Sequence, residues 1–93
     1  MTVYLLHFAQ PLGDPGNPRG QARHYIGSTD DLTQRLASHR VGHGAAIMRA
    51  CAERGIDWAL VRTWPGGRQE ERELKRRHKS AQLCPICRAE VSR

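Results

Sequence analysis

No uninterrupted apolar run in this chain exceeds a few residues, far short of the roughly 20 that a membrane span needs. Behind Met1 there is neither a basic leader nor an apolar stretch of signal-peptide length, so a cytoplasmic location is expected. Cysteine is sparse and odd in number (Cys51, Cys84 and Cys87), which fits a reducing interior rather than a disulfide framework. No internal repeat is visible. At 93 residues the chain has no room for a second domain, and its core can only be small. With glycine counted, about half of the residues are apolar, the ordinary globular share, so a compact layered fold is within reach.

Acidic residues are in deficit. Nine Asp and Glu stand against fifteen Lys and Arg, for a net charge of +6 and a pI near 10.0. Nine of the cations (Arg62, Arg68, Arg72, Lys75, Arg76, Arg77, Lys79, Arg88 and Arg93) lie in the last 32 residues. A basic C-terminal third is the electrostatic footprint of phosphate-backbone binding, although a solvated charged face has the same composition.

Apolar, β-forming runs at Val3 to Phe8 and Ala22 to Ile26 predict two strands. Between them Gln10 to Gln21 holds Pro11, Pro15, Pro18, Gly13, Gly16 and Gly20, the composition of a long hairpin loop. Ser28-Thr29-Asp30-Asp31, in a serine-x-x-acid arrangement ahead of Leu32 and Leu36, predicts a helix from about Asp30 to about Arg40. Val41-Gly42-His43-Gly44 interrupts it. A second helix is expected over Ala45 to Arg54, with Gly55 at its C-terminal cap. Ile56 to Trp64 reads as a buried strand closed by Pro65-Gly66-Gly67, and Arg68 to about Ser80 as a charged helix around Leu74. The expected fold is a small α/β (α+β) sandwich in the order β-β-α-α-β-α, with a three-stranded, mainly antiparallel sheet flanked by helices.

On the first helix Arg35 and His39 lie one turn apart at the edge of the Leu32–Leu36 stripe, so neither points straight to solvent. Alone, such an arginine reads as a snorkelling side chain or an ion-pair partner. Its place just after a strand ending in Tyr25-Ile26-Gly27 brings tyrosine, arginine and histidine to one end of the sheet.

These residues resemble the GIY-YIG nuclease superfamily. Val3-Tyr4-Leu5 matches the first motif and Tyr25-Ile26-Gly27 the second, followed by Ser28, Leu32, Arg35 and His39 in the run YIGSTDDLTQRLASH. Gly42 to Ala46 and the helix Glu71 to Arg77 complete the likeness, so it spans nearly the whole chain: residues 1–83 as the nuclease-like domain and 84–93 as a C-terminal CPIC segment and tail. The resemblance implies a metal-dependent endonuclease that hydrolyses DNA phosphodiester bonds, with a catalytic set of Tyr4, Tyr25, Arg35, His39 and Glu71. One tyrosine, Tyr25 in preference to Tyr4, would orient or deprotonate water. Arg35 would grip a phosphate oxygen through its planar fork, where lysine is a poor substitute.

Glu71 would hold magnesium or manganese, a single-carboxylate site completed by waters and substrate phosphate. On a helical wheel both Glu70 and Glu71 lie within about 60° of Leu74 while Glu73 lies away from it, so geometry leaves Glu70 and Glu71 open and the Glu-x-x-x-Lys match selects Glu71. Arg68, Lys75, Arg76, Arg77 and Lys79 are the expected DNA contacts. With no appended domain, specificity would come from the Pro/Gly loop, the C-terminal cations or a protein partner.

Two departures stand out. The first motif reads Val-Tyr-Leu, and the asparagine that many members carry after the acidic helix has no counterpart, because the only asparagine is Asn17. They motivate an alternative, a non-catalytic nucleic-acid-binding module on the same scaffold. Cys84-Pro85-Ile86-Cys87 has the spacing of half a zinc site, for which Cys51 and scattered histidines are the remaining ligands. The preferred reading is that these cysteines pack as small hydrophobes, with zinc second. His7, His24 and His78 read as ordinary structural residues, and His43, between two glycines, as a solvent-facing one.

Overall fold

The structure is a computed structural model that describes residues 1–12, 22–77 and 83–87. Six elements follow one another: β1 (Thr2–Leu12), β2 (Ala22–Thr29), α1 (Leu32–Arg40), α2 (Ala46–Arg54), β3 (Trp58–Pro65) and α3 (Arg68–Arg76). The order and the three-stranded antiparallel sheet agree with expectation. Most of the expected loop, the predicted end of the last helix and His78 lie outside the described residues.

The strands are arranged β2-β1-β3, so the N-terminal strand is central and antiparallel to both neighbours. That position explains its composition. A central strand covered on both faces needs apolar residues at consecutive positions, and Val3, Tyr4, Leu5 and Leu6 are all fully buried. Alternation then divides them between two cores. Tyr4, Leu6 and Phe8 join Met48, Cys51 and Trp58 beneath the first two helices, with Leu32 and Leu36 packed against them. Val3 and Leu5 join Ile26, Leu74, Cys84 and Cys87 on the other face, with Trp64 and Leu83 beside them. The sandwich therefore has three layers: α1 and α2, the sheet, and α3 with residues 83–87.

Local chemistry sets the element ends. β1 runs on to Leu12, past the expected end at Phe8, but its pairing with β2 is irregular beyond His7, where Pro11 has no N–H to donate. A register shift against β3 between Leu5 and Leu6 leaves Val61 as the extra residue of a bulge. Asp31, not Ser28, caps α1: its Oδ1 accepts the Gln34 N–H at 3.1 Å, while Ser28 still belongs to β2. Gly55, at φ 67°, closes α2 in the left-handed conformation, and the amides of Gly55 and Ile56 donate to the Ala52 and Cys51 carbonyls.

α3 carries Glu70 and Glu71 in its first turn and Lys75 and Arg76 in its last, a distribution that complements the helix dipole. It lies mainly over β2 and buries a single residue, Leu74. No described helix is long and apolar enough to cross a membrane.

Because one leucine anchors this helix, Leu74→Ala should cost about 2–4 kcal/mol in urea unfolding. A loss below about 0.5 kcal/mol, the range of neutral surface substitutions, would show that α3 is held by something else.

Candidate functional site

The cross-strand pair Tyr4 and Gly27 lies at the centre of the site. A Cβ on Gly27 would sit 2.5 Å from the Tyr4 hydroxyl oxygen and 2.9 Å from Tyr25 Cε1, so the residue must be glycine for the two phenol rings to lie over its backbone. The rings are 6.1 Å apart, centroid to centroid, and His39 from α1 stands 5.9 Å from Tyr4 and 5.6 Å from Tyr25.

Hydrogen bonds orient the imidazole. His39 Nδ1 lies 3.3 Å from the His43 carbonyl oxygen, which can only accept, so Nδ1 carries the hydrogen. Nε2 of the neutral ring is then bare and accepts the Tyr4 O–H at 2.8 Å. Both groups are fully buried, and burial keeps both neutral. It pushes the Tyr4 phenol up to about 12, although Arg35 pulls the other way. It also lowers the pKa of His39, helped by the Arg35 charge and opposed by the His43 carbonyl.

Arg35 completes the cluster. Its interaction with the Tyr4 phenol raises its own pKa, with Tyr25 contributing less. The guanidinium packs against Gly44, where φ is 95° and a Cβ would come within 3.2 Å of Arg35 Nη1 and 3.3 Å of His39 Cε1. Arg35 Nε is buried and has no hydrogen-bond partner among the described residues. Gly44 also lines an open hollow of about 390 Å³, together with Gly42, His43, Ala46 and Arg49. The His43 residue is exposed, as expected, and contributes through its carbonyl.

α3 approaches from the other side. Lys75 Nζ lies 5.6 Å from the Tyr25 ring centroid and 3.3 Å from Glu71 Oε2, which links the glutamate to the tyrosine cluster. Of the three glutamates on the helix Glu71 alone is partly buried, whereas Glu70 and Glu73 are exposed. Arg68, Arg72, Lys75 and Arg76 fall within an arc of about 100° on the helix, forming an exposed cationic stripe beside Glu71. Arg77 follows it, also exposed; Lys79 lies outside the described residues. Among the described residues Glu71 belongs to no group of three or more protein ligands. Its donor is a hard carboxylate oxygen, which suits magnesium or manganese with waters and phosphate in the remaining positions.

A second constellation occupies the opposite face of the sheet. His7 and His24 are direct cross-strand partners, and their side chains meet the two cysteines of the CPIC segment. The ligand atoms of His7, His24, Cys84 and Cys87 all lie within 4.8 Å of one another, a His2Cys2 group that could hold a metal ion. Two sulfurs and two imidazole nitrogens suit zinc better than magnesium or manganese.

Two of the histidines that the sequence left as candidate partners thus lie against the CPIC half-site, and His7 and His24, read as ordinary sheet residues, are corrected to members of this group. Cys51 is not among them, because it lies in the core beneath α1 and α2. Strand alternation was the usable signal, since His7 shares its parity with Val3 and Leu5, and His24 with Ile26.

Comparison with known proteins adds no identification: no family model, no curated protein and no solved structure matches the chain.

The buried tyrosine and histidine make stability depend on pH in opposite directions. Between the ordinary tyrosine value of 10.0 and about 12 the unfolded chain releases the Tyr4 proton while the folded protein retains it, so this contribution is whole below pH 10.0 and is lost as pH rises through that window. His39 contributes above 6.5, its ordinary value, and loses that contribution as pH falls below it and the unfolded imidazole charges first. Urea midpoints of Tyr4→Phe relative to the unsubstituted protein should therefore improve as pH climbs from 10.0 to about 12. A constant difference across that range would show that Tyr4 is not held neutral.

Proposed function

We propose that this chain is a metal-dependent endonuclease of the GIY-YIG type, hydrolysing DNA phosphodiester bonds. The observation that carries the proposal is the convergence of Tyr4, Tyr25, Arg35 and His39, from three separate elements, onto the Tyr4–His39 hydrogen bond of 2.8 Å. These four are among the residues on which the resemblance rests, and they come together beside a cationic helix.

Hydrolysis requires that water attack phosphorus as the bond to the leaving oxygen breaks, and that the proton of the water be taken up. Tyr25, half-buried where Tyr4 is fully buried, is the phenol that water reaches. The two phenols interact, and Tyr4 already donates to His39 Nε2. A proton accepted at the Tyr25 oxygen can be matched by transfer from Tyr25 to Tyr4 and from Tyr4 to His39, ending as an imidazolium. His39 is suited to that role because its tautomer leaves Nε2 free to accept. Arg35, beside both phenols, grips a phosphate oxygen and offsets charge building on the phosphoryl group.

Glu71, steadied by Lys75, is the residue that would hold magnesium or manganese, which stabilises the leaving oxygen when bound. The stripe of Arg68, Arg72, Lys75 and Arg76 would follow the sugar-phosphate strand, so binding should weaken steeply with salt.

The test is cleavage of plasmid, single-stranded and branched DNA with magnesium or manganese. Arg35→Ala and Glu71→Ala should each lower cleavage about 100-fold or more, and Arg35→Lys should recover little of it. Equal cutting by all four proteins would overturn these roles. Salt-sensitive DNA binding without cleavage under either ion would replace the nuclease with a non-catalytic binding module.

A further inference from the structure

We infer that His7, His24, Cys84 and Cys87 form a closed, four-coordinate structural zinc site that fastens the CPIC segment to the β1–β2 hairpin. The site is separate from the tyrosine–arginine–histidine cluster of the proposed nuclease, because β1 and β2 direct alternate residues to opposite faces. Tyr4 and Tyr25 face α1 and α2, whereas His7 and His24 face the layer that holds residues 83–87.

Four of the six ligand-to-ligand edges have the lengths of a tetrahedral site. His7 Nδ1 and His24 Nε2 are 3.3 Å apart. Nitrogen-to-sulfur distances are 3.4 Å for His7 to Cys84, 3.6 Å for His7 to Cys87 and 3.4 Å for His24 to Cys87. With zinc–nitrogen bonds of about 2.05 Å and zinc–sulfur bonds of about 2.3 Å, a regular tetrahedron has nitrogen–nitrogen edges of about 3.3 Å and nitrogen–sulfur edges of about 3.6 Å. The four measured edges fall within a few tenths of an ångström of these values.

Hydrophobic packing accounts for two buried thiols but not for two imidazoles turned toward them with ligand-to-ligand spacings. Loading the site requires both cysteines as thiolates and both histidines neutral, so Zn²⁺ binds with release of two thiol protons to solvent and leaves a site of zero net charge. That neutrality suits its position: Cys84 is fully buried and Cys87 is 7% exposed. All four positions are filled by protein, so no site remains for water or substrate, and the role is structural.

The mechanical consequence follows from chain separation. Cys84 and His7 are 77 residues apart, so the metal ties the end of the described chain to its first strand. It also holds β2 at His24, the residue next to Tyr25. A chain with so small a core gains most from a staple of this kind.

The experiment uses the full chain, purified in reductant without chelator and then incubated with excess zinc and desalted. Elemental analysis should find about one zinc per chain, and X-ray absorption should find two sulfur and two nitrogen neighbours near 2.3 and 2.0 Å. Cys84→Ser and His24→Ala should each lower zinc affinity at least about 10-fold, with Arg35→Ala unchanged. Because a ligand variant can fail to fold, the unsubstituted protein is also stripped with a thiol-reactive mercurial and a chelator, the mercurial then being removed with excess thiol. Its Tm should fall by about 10 °C or more and return on adding zinc. Zinc well below one equivalent, a coordination sphere without sulfur, or a Tm unchanged by stripping would each overturn the site. No DNA cleavage by the unsubstituted, zinc-loaded protein would count against the nuclease reading alone.

Discussion

Strand β1 is hydrogen-bonded along both edges and covered on both faces, and that confinement positions both the tyrosine cluster and the histidine pair. A strand so placed cannot slip by one residue without exchanging its two cores. Its register therefore sends Tyr4, Leu6 and Phe8 toward α1 and α2 and directs His7 to the other layer. β2, paired in register beside it, places Gly27 opposite Tyr4 and His24 opposite His7. One alignment of two strands thus creates the phenol cluster on one side of the sheet and the two-imidazole edge of the metal group on the other.

Burial has different effects at the two places. Around Tyr4 and His39 it suppresses charge, so a phenol and an imidazole share one hydrogen bond as neutral partners beside a guanidinium. In the proposed relay the Tyr4 O–H is already directed at His39 Nε2, so the last transfer would follow a hydrogen bond that is in place. On the opposite face two buried thiols meet two part-buried imidazoles, for which a divalent ion is the natural compensation once the thiols ionise. α3 connects these environments: Leu74 anchors it in the core that includes Cys84 and Cys87, while Lys75 reaches Tyr25 and holds Glu71.

Much of the fold was legible in the chain. Apolar runs, Pro/Gly punctuation and helical spacing located all six elements, because these signals are local and each element's interior agrees with its own propensity. The misplaced details have local physical causes. Asp31 rather than Ser28 caps α1 because the strand continues through Thr29, and β1 runs past Phe8 because irregular pairing tolerates Pro11. In the candidate site, Arg35 and His39 could be placed beside a tyrosine strand from spacing alone. The tie between Glu71 and Tyr25 through Lys75 could not, since it depends on where α3 crosses the sheet.

By itself the sequence determined which residues alternate along each strand, which helix faces are apolar, and that a cationic surface would accumulate in the last third of the chain. Those properties follow from backbone geometry and composition, and need no knowledge of neighbours. Only the tertiary structure decided which strands lie side by side, that His7 and His24 are direct partners, and that a segment 77 residues away returns to meet them. Such long-range meetings are set by the packing of the whole core, to which no short stretch of chain holds the answer. For that reason the two histidines looked ordinary in the sequence and the CPIC segment looked like half of a site.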